Sequence, residues 1–355
     1  MSRESDQSPH RYRGPIVLLT CRDRPVDFRA PLADELAALG NEIYYVFLKR
    51  RPAVTGPGES AAQEMSFPSF VAFMIRLCRR SKSTLIFNST NLAFPFVSAG
   101  LRALCGGLWC FDMHDDLLYD YTGWHRARSR IGLWVVENSS HLIVHGAPTL
   151  GELFPGSHHL GNASVLQPIY RERPDFSRVL IIASLDERFD FRLVASVAAM
   201  LPGKRFELFG RISRNDPAIA ANLHALLAAN PNIEYFGPYT DSDLPSLLAR
   251  NPVMFAPYKM GSNLTRYIDP LRYYHCLNSG MEVVSTDIPQ AHVLAEHLHI
   301  AKSAEEVCER LEAIARDPRR RRNSTQTANL HNWRRRAERL LHIVSQISPD
   351  PKRTI

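Results

Sequence analysis

Two stretches of this chain combine residue types and spacings that can do chemistry. The first is VMFAPYKMGSNLTRYIDPLRYYHCLNSGMEVVSTDIPQ (253–290). An apolar strand ends at Pro257 and a polar loop follows. Asp269-Pro270 then opens a helix that Gly280 closes before the next strand, VVST. Proline suits a helix's first turn, where its missing N–H would have no helical partner. The N-terminus of the 270–279 helix is therefore expected at the carboxyl end of a strand, where free N–H groups and the helix dipole favour a phosphate. Arg272, in the first turn, adds a charge-assisted bond to a diphosphate. Arg211, directly after a strand that ends at Gly210, is placed to reach the same group.

The second stretch is CFDMHDDLLYDY (110–121), which follows a strand. Asp112, Asp115 and Asp116 fall near that strand's carboxyl end. A carboxylate there can take a proton from a substrate hydroxyl; Asp115 is the first choice and Asp116 the second. The alternative is that Asp115 or Asp116 caps the next turn. His114 and His145, also near strand ends, read either as ligand contacts or as structural histidines. No metal is expected: the fourteen histidines include no HExxH, and Asp241-Ser-Asp243 reads as a surface turn and helix cap.

These residues need a scaffold, and the apolar pattern supplies one. IVLLTC (16–21), the helical run DFRAPLADELAALG (27–40) and EIYYVFLK (42–49) make a βαβ unit. The alternation continues through TLIFNST (84–90), LAFPFVSAGLRALCG (92–106), LWCFDMHD (108–115), RSRIGLWVVENSS (128–140), LIVHG (142–146) and SVLQPI (164–169). After the charged, proline-containing segment 168–178 the pattern restarts, with strands at 178–184, 205–210, 233–238, 253–257 and 281–286. Such alternation means a doubly wound, mainly parallel α/β sheet, here twice over. The expected organisation is a tail (1–13), a first domain (14–167), a linker (168–177), a second domain (178–330), a helix packing back on the first domain (331–346) and a second tail (347–355). A two-domain dehydrogenase would carry GxGxxG after a strand, and the chain has none.

Here a resemblance enters. The 253–290 segment resembles the donor-binding region of bacterial GT-B glycosyltransferases of the family 4 type, the exopolysaccharide and teichuronic-acid enzymes. It matches at Pro257-Tyr258, Asn263-Leu264-Thr265, Pro270-Leu271, Gly280 and Val283-Val284-Ser285-Thr286. Residues 184–210, 232–249 and the tryptophan helix 332–344 are similar to further stretches of the same enzymes, and 110–121 resembles their Asp-Asp segment. The match covers most of 178–345 and is diffuse before it. The resemblance implies an α/β fold of the GT-B type, two Rossmann-like doubly wound domains facing a central cleft. It implies metal-independent transfer of a hexosyl or uronosyl group from a nucleotide-diphosphate sugar to a glycan or lipid-linked acceptor, in exopolysaccharide or cell-surface glycan assembly. The sugar nucleotide is a substrate, and no cofactor is expected. Implied donor-binding residues are Arg188, Arg211, Tyr258, Asn263, Thr265, Arg272 and His275; Asp190 reads as a helix cap.

The chain departs from the pattern in three places. Arg272 stands for the usual lysine. His275 stands for the usual glutamate that accepts from the ribose, as in relatives of the xanthan glucuronosyltransferase type that also lack it. TCRDRPVDFR replaces a glycine-rich loop after the first strand. The last two also fit a second reading, a non-catalytic nucleotide-sugar-binding or regulatory protein of the same fold.

Composition bounds the remaining classes. The 355 residues are 45% hydrophobic and 22% charged, which suits two globular domains. No apolar run reaches the roughly 20 residues that span a bilayer, and the first fifteen residues hold no apolar signal core, so a cytoplasmic protein is expected. The six cysteines form no CxxC pair and read as free thiols. The net charge of +7 fits a phosphate-bearing substrate, an anionic membrane or nucleic acid; no nucleic-acid motif accompanies it, and none is expected as a partner. FPSFVAFMIRLCRRSK (67–82) reads either as a core helix with a basic last turn or as a peripheral contact with the inner face of an anionic membrane.

Overall fold

The computed structural model describes residues 12–22, 24, 27–48, 51–90, 94–114, 122–213, 216–316 and 328–347. The chain forms two compact units. One comprises the chain up to Gly161 together with Trp333 onward; the other is Asn162–Asn332. The segment 162–177 therefore belongs to the second unit. Arg171, in the stretch expected as a linker, donates to the carbonyls of Leu248 and Ser279 within that unit.

The first unit is built on an eight-stranded sheet. Its strands are β1 (Ile16–Thr20), β2 (Ile43–Phe47), β3 (Ala53–Thr55), β4 (Gln63–Glu64), β5 (Leu85–Ser89), β6 (Leu108–Met113), β7 (Leu142–His145) and β8 (His158–His159), in the order β4-β3-β2-β1-β5-β6-β7-β8. All neighbours are parallel except the short β2-β3-β4 edge. β1 and β5 are buried at every residue, as expected of parallel strands covered on both faces. On one face Val17, Leu19, Val46, Ile86 and Trp109 pack against Phe70, Met74 and Leu77 of helix Phe67–Arg80 and Leu101 of helix Pro95–Cys105. Helix Gly123–Ser139 runs beside Pro95–Cys105. Helix Ala30–Ala38 packs on the C-terminal helix Trp333–Ser345. The apolar face of 67–82 is thus core, although Arg79, Arg80 and Lys82 are exposed.

The second unit carries a six-stranded, all-parallel sheet. Its strands are β9 (Arg178–Ile182), β10 (Arg205–Phe209), β11 (Ile233–Tyr235), β12 (Val253–Ala256), β13 (Glu282–Thr286) and β14 (His299–Ala301), in the order β11-β10-β9-β12-β13-β14. Alternate residues of β9 face two separate cores, Val179 and Ile181 in one, Leu180 and Ile182 in the other. Expected strand SVLQPI (164–169) does not form. Ser164 makes only an isolated bridge to Asn332 and Val165 is exposed, while Leu166 and Ile169 pack against a core of the second unit without pairing as a strand.

Candidate functional site

Strand order reverses direction between β9 and β12, which places the second unit's crevice at the carboxyl ends of those two strands. The loops that leave them are stitched together there. Phe189 bridges Tyr258, Asp190 N donates to the Pro257 carbonyl at 2.9 Å, and Lys259 N donates to the Arg188 carbonyl at 2.8 Å. The loop after β10 joins from the other side. Gly210 lies against Ala183 so closely that a Cβ would stand 1.6 Å from its carbonyl oxygen, so only glycine fits. Leu185 N then donates to the Arg211 carbonyl at 2.9 Å.

Helix Leu271–Asn278 starts after Pro270 and is closed by Gly280, whose φ of 75° is the left-handed geometry of a helix end. Arg272 leaves its first turn. Its Nη1 donates to the Ile182 carbonyl, the last residue of β9, at 2.7 Å, and its guanidinium lies over the Tyr258 ring at 5.5 Å. Among the described residues no carboxylate pairs with it. Tyr258 is buried, its backbone N donating to Thr286 Oγ1 at 2.9 Å. The structure therefore holds one cation at the switch point by a strand end on one side and an aromatic face on the other, with its remaining N–H groups unspent.

The other expected donor residues differ in how committed they are. Arg188 is at the same crevice, but its guanidinium is paired with Asp186 at 2.5 Å, which neutralises much of its charge. Arg211 is exposed and its side chain has no partner among the described residues. Thr265 is buried and its hydroxyl hydrogen is shared between the carbonyls of Lys259 and Ser262, at 2.8 and 3.0 Å, so it holds the loop. Asn263 is exposed at the start of the short helix Asn263–Arg266, whose cap is Ser262. Asp190 caps helix Phe191–Met200 through Leu193 N at 2.9 Å. Asp243 precedes helix Leu244–Arg250 and turns back to Thr240.

His275 sits one turn after Arg272. Its Nδ1 is 2.8 Å from Ser164 Oγ, which itself accepts from Leu166 N at 3.0 Å. The serine hydroxyl keeps its hydrogen and a second lone pair, so either group can be the donor and the contact suits both tautomers of His275. Burial pushes the His275 pKa down to about 4, with Asp241 opposing and Arg272 adding to the shift. At neutral pH this side chain is a neutral imidazole, with one N–H donor and one acceptor nitrogen, where a carboxylate would present only acceptors. Sequence reasoning missed Ser164, which lies more than a hundred residues away in the run read as a strand, and read Asp269 only as part of a helix start, whereas it accepts from Asn162 N and Tyr274 OH at 2.6 and 2.7 Å.

In the first unit the chemistry concentrates on β6. Asp112 and Arg29 are fully buried; Arg29 Nε and Nη2 donate to the two Asp112 oxygens at 2.8 and 3.0 Å, and Nη1 donates to the Gly161 carbonyl at 3.2 Å. Ser89 Oγ is 3.1 Å from Asp112 and 2.8 Å from His114 Nε2. Burial alone would raise the Asp112 pKa, but the opposing charges of Arg29 and His114 outweigh it and hold it at about 2. Asp112 is therefore a fixed anion inside a network and not a proton acceptor for a substrate. His114 is buried in the same network. His145 is buried with Nδ1 2.8 Å from the Ala147 carbonyl. Asp115 and Asp116 lie outside the described residues. No cluster of three or more His, Cys, Asp or Glu side chains suited to a metal occurs among the described residues. Nor is any described helix long and apolar enough to cross a membrane.

No family model and no curated protein matches the sequence. Solved structures do. The sucrose-phosphate synthase of Thermosynechococcus elongatus superposes with a TM-score of 0.64 over 94% of this chain and 99% of that one, at 15% identity. A glycosyltransferase from Rickettsia africae gives 0.61 over 95% and 99%, at 11% identity. The chain has a GT-B fold. The pneumococcal O-GlcNAc transferase GtfA, solved with UDP and GlcNAc, shares it at a TM-score of 0.55 over 84% of this chain and 65% of that one, with 15% identity. At such identities the likeness fixes the architecture, and the roles of individual residues in this GT-B chain rest on their own geometry.

Proposed function

We propose that this chain is a glycosyltransferase that moves a hexosyl or uronosyl group from a nucleotide-diphosphate sugar to an acceptor hydroxyl, with no metal in the step. The observation that carries the reading is Arg272, an uncompensated cation held at the second unit's switch point by Ile182 and Tyr258. There it would take the diphosphate, aided by the start of its own helix and by Arg211. As the bond to the anomeric carbon breaks, negative charge grows on the leaving diphosphate, and a fixed cation stabilises that charge without reorganising. His275 Nε2 would hydrogen-bond to a ribose hydroxyl, and Tyr258 and Asn263 would border the donor. The acceptor is assigned to the first unit, with Asp115 as the base that takes its proton and Asp116 as the alternative. Acceptors of exopolysaccharide or cell-surface glycan assembly, free or lipid-linked, fit the resemblance.

Titration with a panel of nucleotide sugars, run beside a turnover assay, tests the proposal. Binding together with transfer or slow donor hydrolysis supports it. Binding without turnover of any donor would favour the second reading, a nucleotide-sugar-binding regulator, to which the replacement of an acceptor by His275 lends some weight. No binding of any nucleotide would end both.

A further inference from the structure

Three helices cover one face of the first unit's sheet, and their outer surface is unusual in both apolarity and charge. Along Gly123–Ser139 the residues Trp124, Ala127, Ile131 and Trp134 recur at i, i+3, i+7 and i+10, so they form one stripe. The stripe faces water: Trp124 is 74% exposed, Ile131 49% and Trp134 63%, while Gly132 and Val136 face inward. The neighbouring helix Pro95–Cys105, tied to this one by Arg102 Nη1 on the Asn138 carbonyl, adds Phe96 at 59% and Leu104 at 61% exposure. Single exposed apolar residues are ordinary; five large ones on two adjoining helices mark a contact surface.

The charge says what the surface contacts. Helical periodicity puts Arg126 and Arg130 along one side of the stripe and Arg128 along the other, all three exposed. The exposed Arg76, Arg79 and Lys82 lie on the third helix or just past its end. Residues 67–82 and 95–105 contain no Asp or Glu, and helix Gly123–Ser139 contains a single one, the exposed Glu137 in its last turn, against three exposed arginines. Such a face repels its own copy, which disfavours self-association. We propose that it docks reversibly on an anionic lipid bilayer, with Gly123–Ser139 lying in the plane of the interface. Trp124, Ile131 and Trp134 enter the boundary between headgroups and acyl chains, where an indole's apolar body and N–H are both satisfied. The arginines on either side pair with lipid phosphates. The basic end of Phe67–Arg80 contributes charge, but its apolar face is core and does not insert.

The test uses the full chain and vesicles of phosphatidylcholine with and without phosphatidylglycerol. Trp109 and Trp333 are buried, so quenching of tryptophan fluorescence by brominated acyl chains reports on Trp124 and Trp134. The expected result is salt-sensitive co-sedimentation with the anionic vesicles only, accompanied by quenching. Changing Arg126, Arg128 and Arg130 together to Gln should weaken partitioning roughly 100-fold, from about a fivefold loss per charge. Trp134→Ala should weaken it as well, with thermal unfolding unchanged. If the tryptophan variant loses its fold, the arginine variant and quenching of the native chain still decide. The proposal is overturned if the chain stays in solution with anionic vesicles at low salt, or binds them without quenching. It is equally overturned if a dimer that Trp134→Ala dissociates covers the face, or if duplex nucleic acid binds the arginines while vesicles do not.

Discussion

Arg29 and Asp112, 83 positions apart, meet in a two-point ion pair with no exposed surface on either side chain. Ser89 and His114 complete the network, and Arg29 also stacks 5.4 Å from the ring of Trp333, binding the C-terminal helix to the first unit. A buried pair of this kind is costly to break from one side, because the remaining charge has lost both water and partner.

Asp112→Asn should therefore lower the unfolding free energy by about 3–5 kcal/mol, measured by urea denaturation. The same pair sets an acid limit. A carboxyl whose pKa is about 2 in the fold stabilises the fold fully above the ordinary aspartate range. That contribution is lost as pH falls from about 4 toward 2. Stability followed across that window should drop in the native chain and stay flatter in Asp112→Asn.

The legible part of this chain was the alternation. Apolar runs such as IVLLT, RVLII and EVVST fill parallel strands that are buried on both faces, and no polar code is needed to recognise them. Arg272 was legible for a local reason: Asp269-Pro270 marks a helix start, and a basic residue in a first turn has few other uses. Arg29 was not, since its partner Asp112 becomes its neighbour only when β6 is laid down two strands along from β1, beyond any local signal. Thr265 shows a role that the motif does not spell out. It matches a family motif, and its hydroxyl donates within its own loop, a bond no sequence pattern announces. The 67–82 helix is a third case: its amphipathic pattern was visible, but periodicity cannot tell a face turned to a core from one turned to lipid.

Removing Arg272 should cost more donor affinity than removing Arg188. Both stand at the switch point, but Arg188 is already opposed by Asp186 and Arg272 by no described carboxylate. Arg272→Ala is expected to weaken binding of a nucleotide-diphosphate sugar by about 1.5–3 kcal/mol, the range for a hydrogen bond to a charged group. Arg188→Ala should lose clearly less. Calorimetric titration of both variants decides, and equal losses would remove the special role of Arg272.

His275 should remain neutral through the physiological range and protonate only near pH 4, which an NMR titration of its ring protons would show. Its folded pKa lies below that of a free imidazole, so the unfolded chain takes up the proton first. The fold therefore loses stability as pH falls from about 6.5 toward 4. If Nε2 serves the ribose, His275→Ala should weaken a full nucleotide by about 0.5–1.5 kcal/mol and leave pyrophosphate binding unchanged. Equal effects on both ligands would place the side chain elsewhere.

The base prediction follows from what β6 has already used. Its carboxylate, Asp112, is locked to Arg29, and His114, just past the strand's end, is bonded to Ser89. Neither can leave its network to take a proton without stranding a buried charge or hydroxyl. The next carboxylates along the chain are Asp115 and Asp116, past the carboxyl end of the strand where an α/β unit gathers its ligands. Asp115→Asn is expected to lower turnover by about 10²–10⁴-fold while donor affinity stays within error of the native chain. The amide keeps the shape and can still cap a turn weakly, so a structural role predicts a fall in melting temperature at normal specific activity. Asp116→Asn, measured in parallel, assigns the role between the two: whichever variant loses turnover without losing donor binding carries the base.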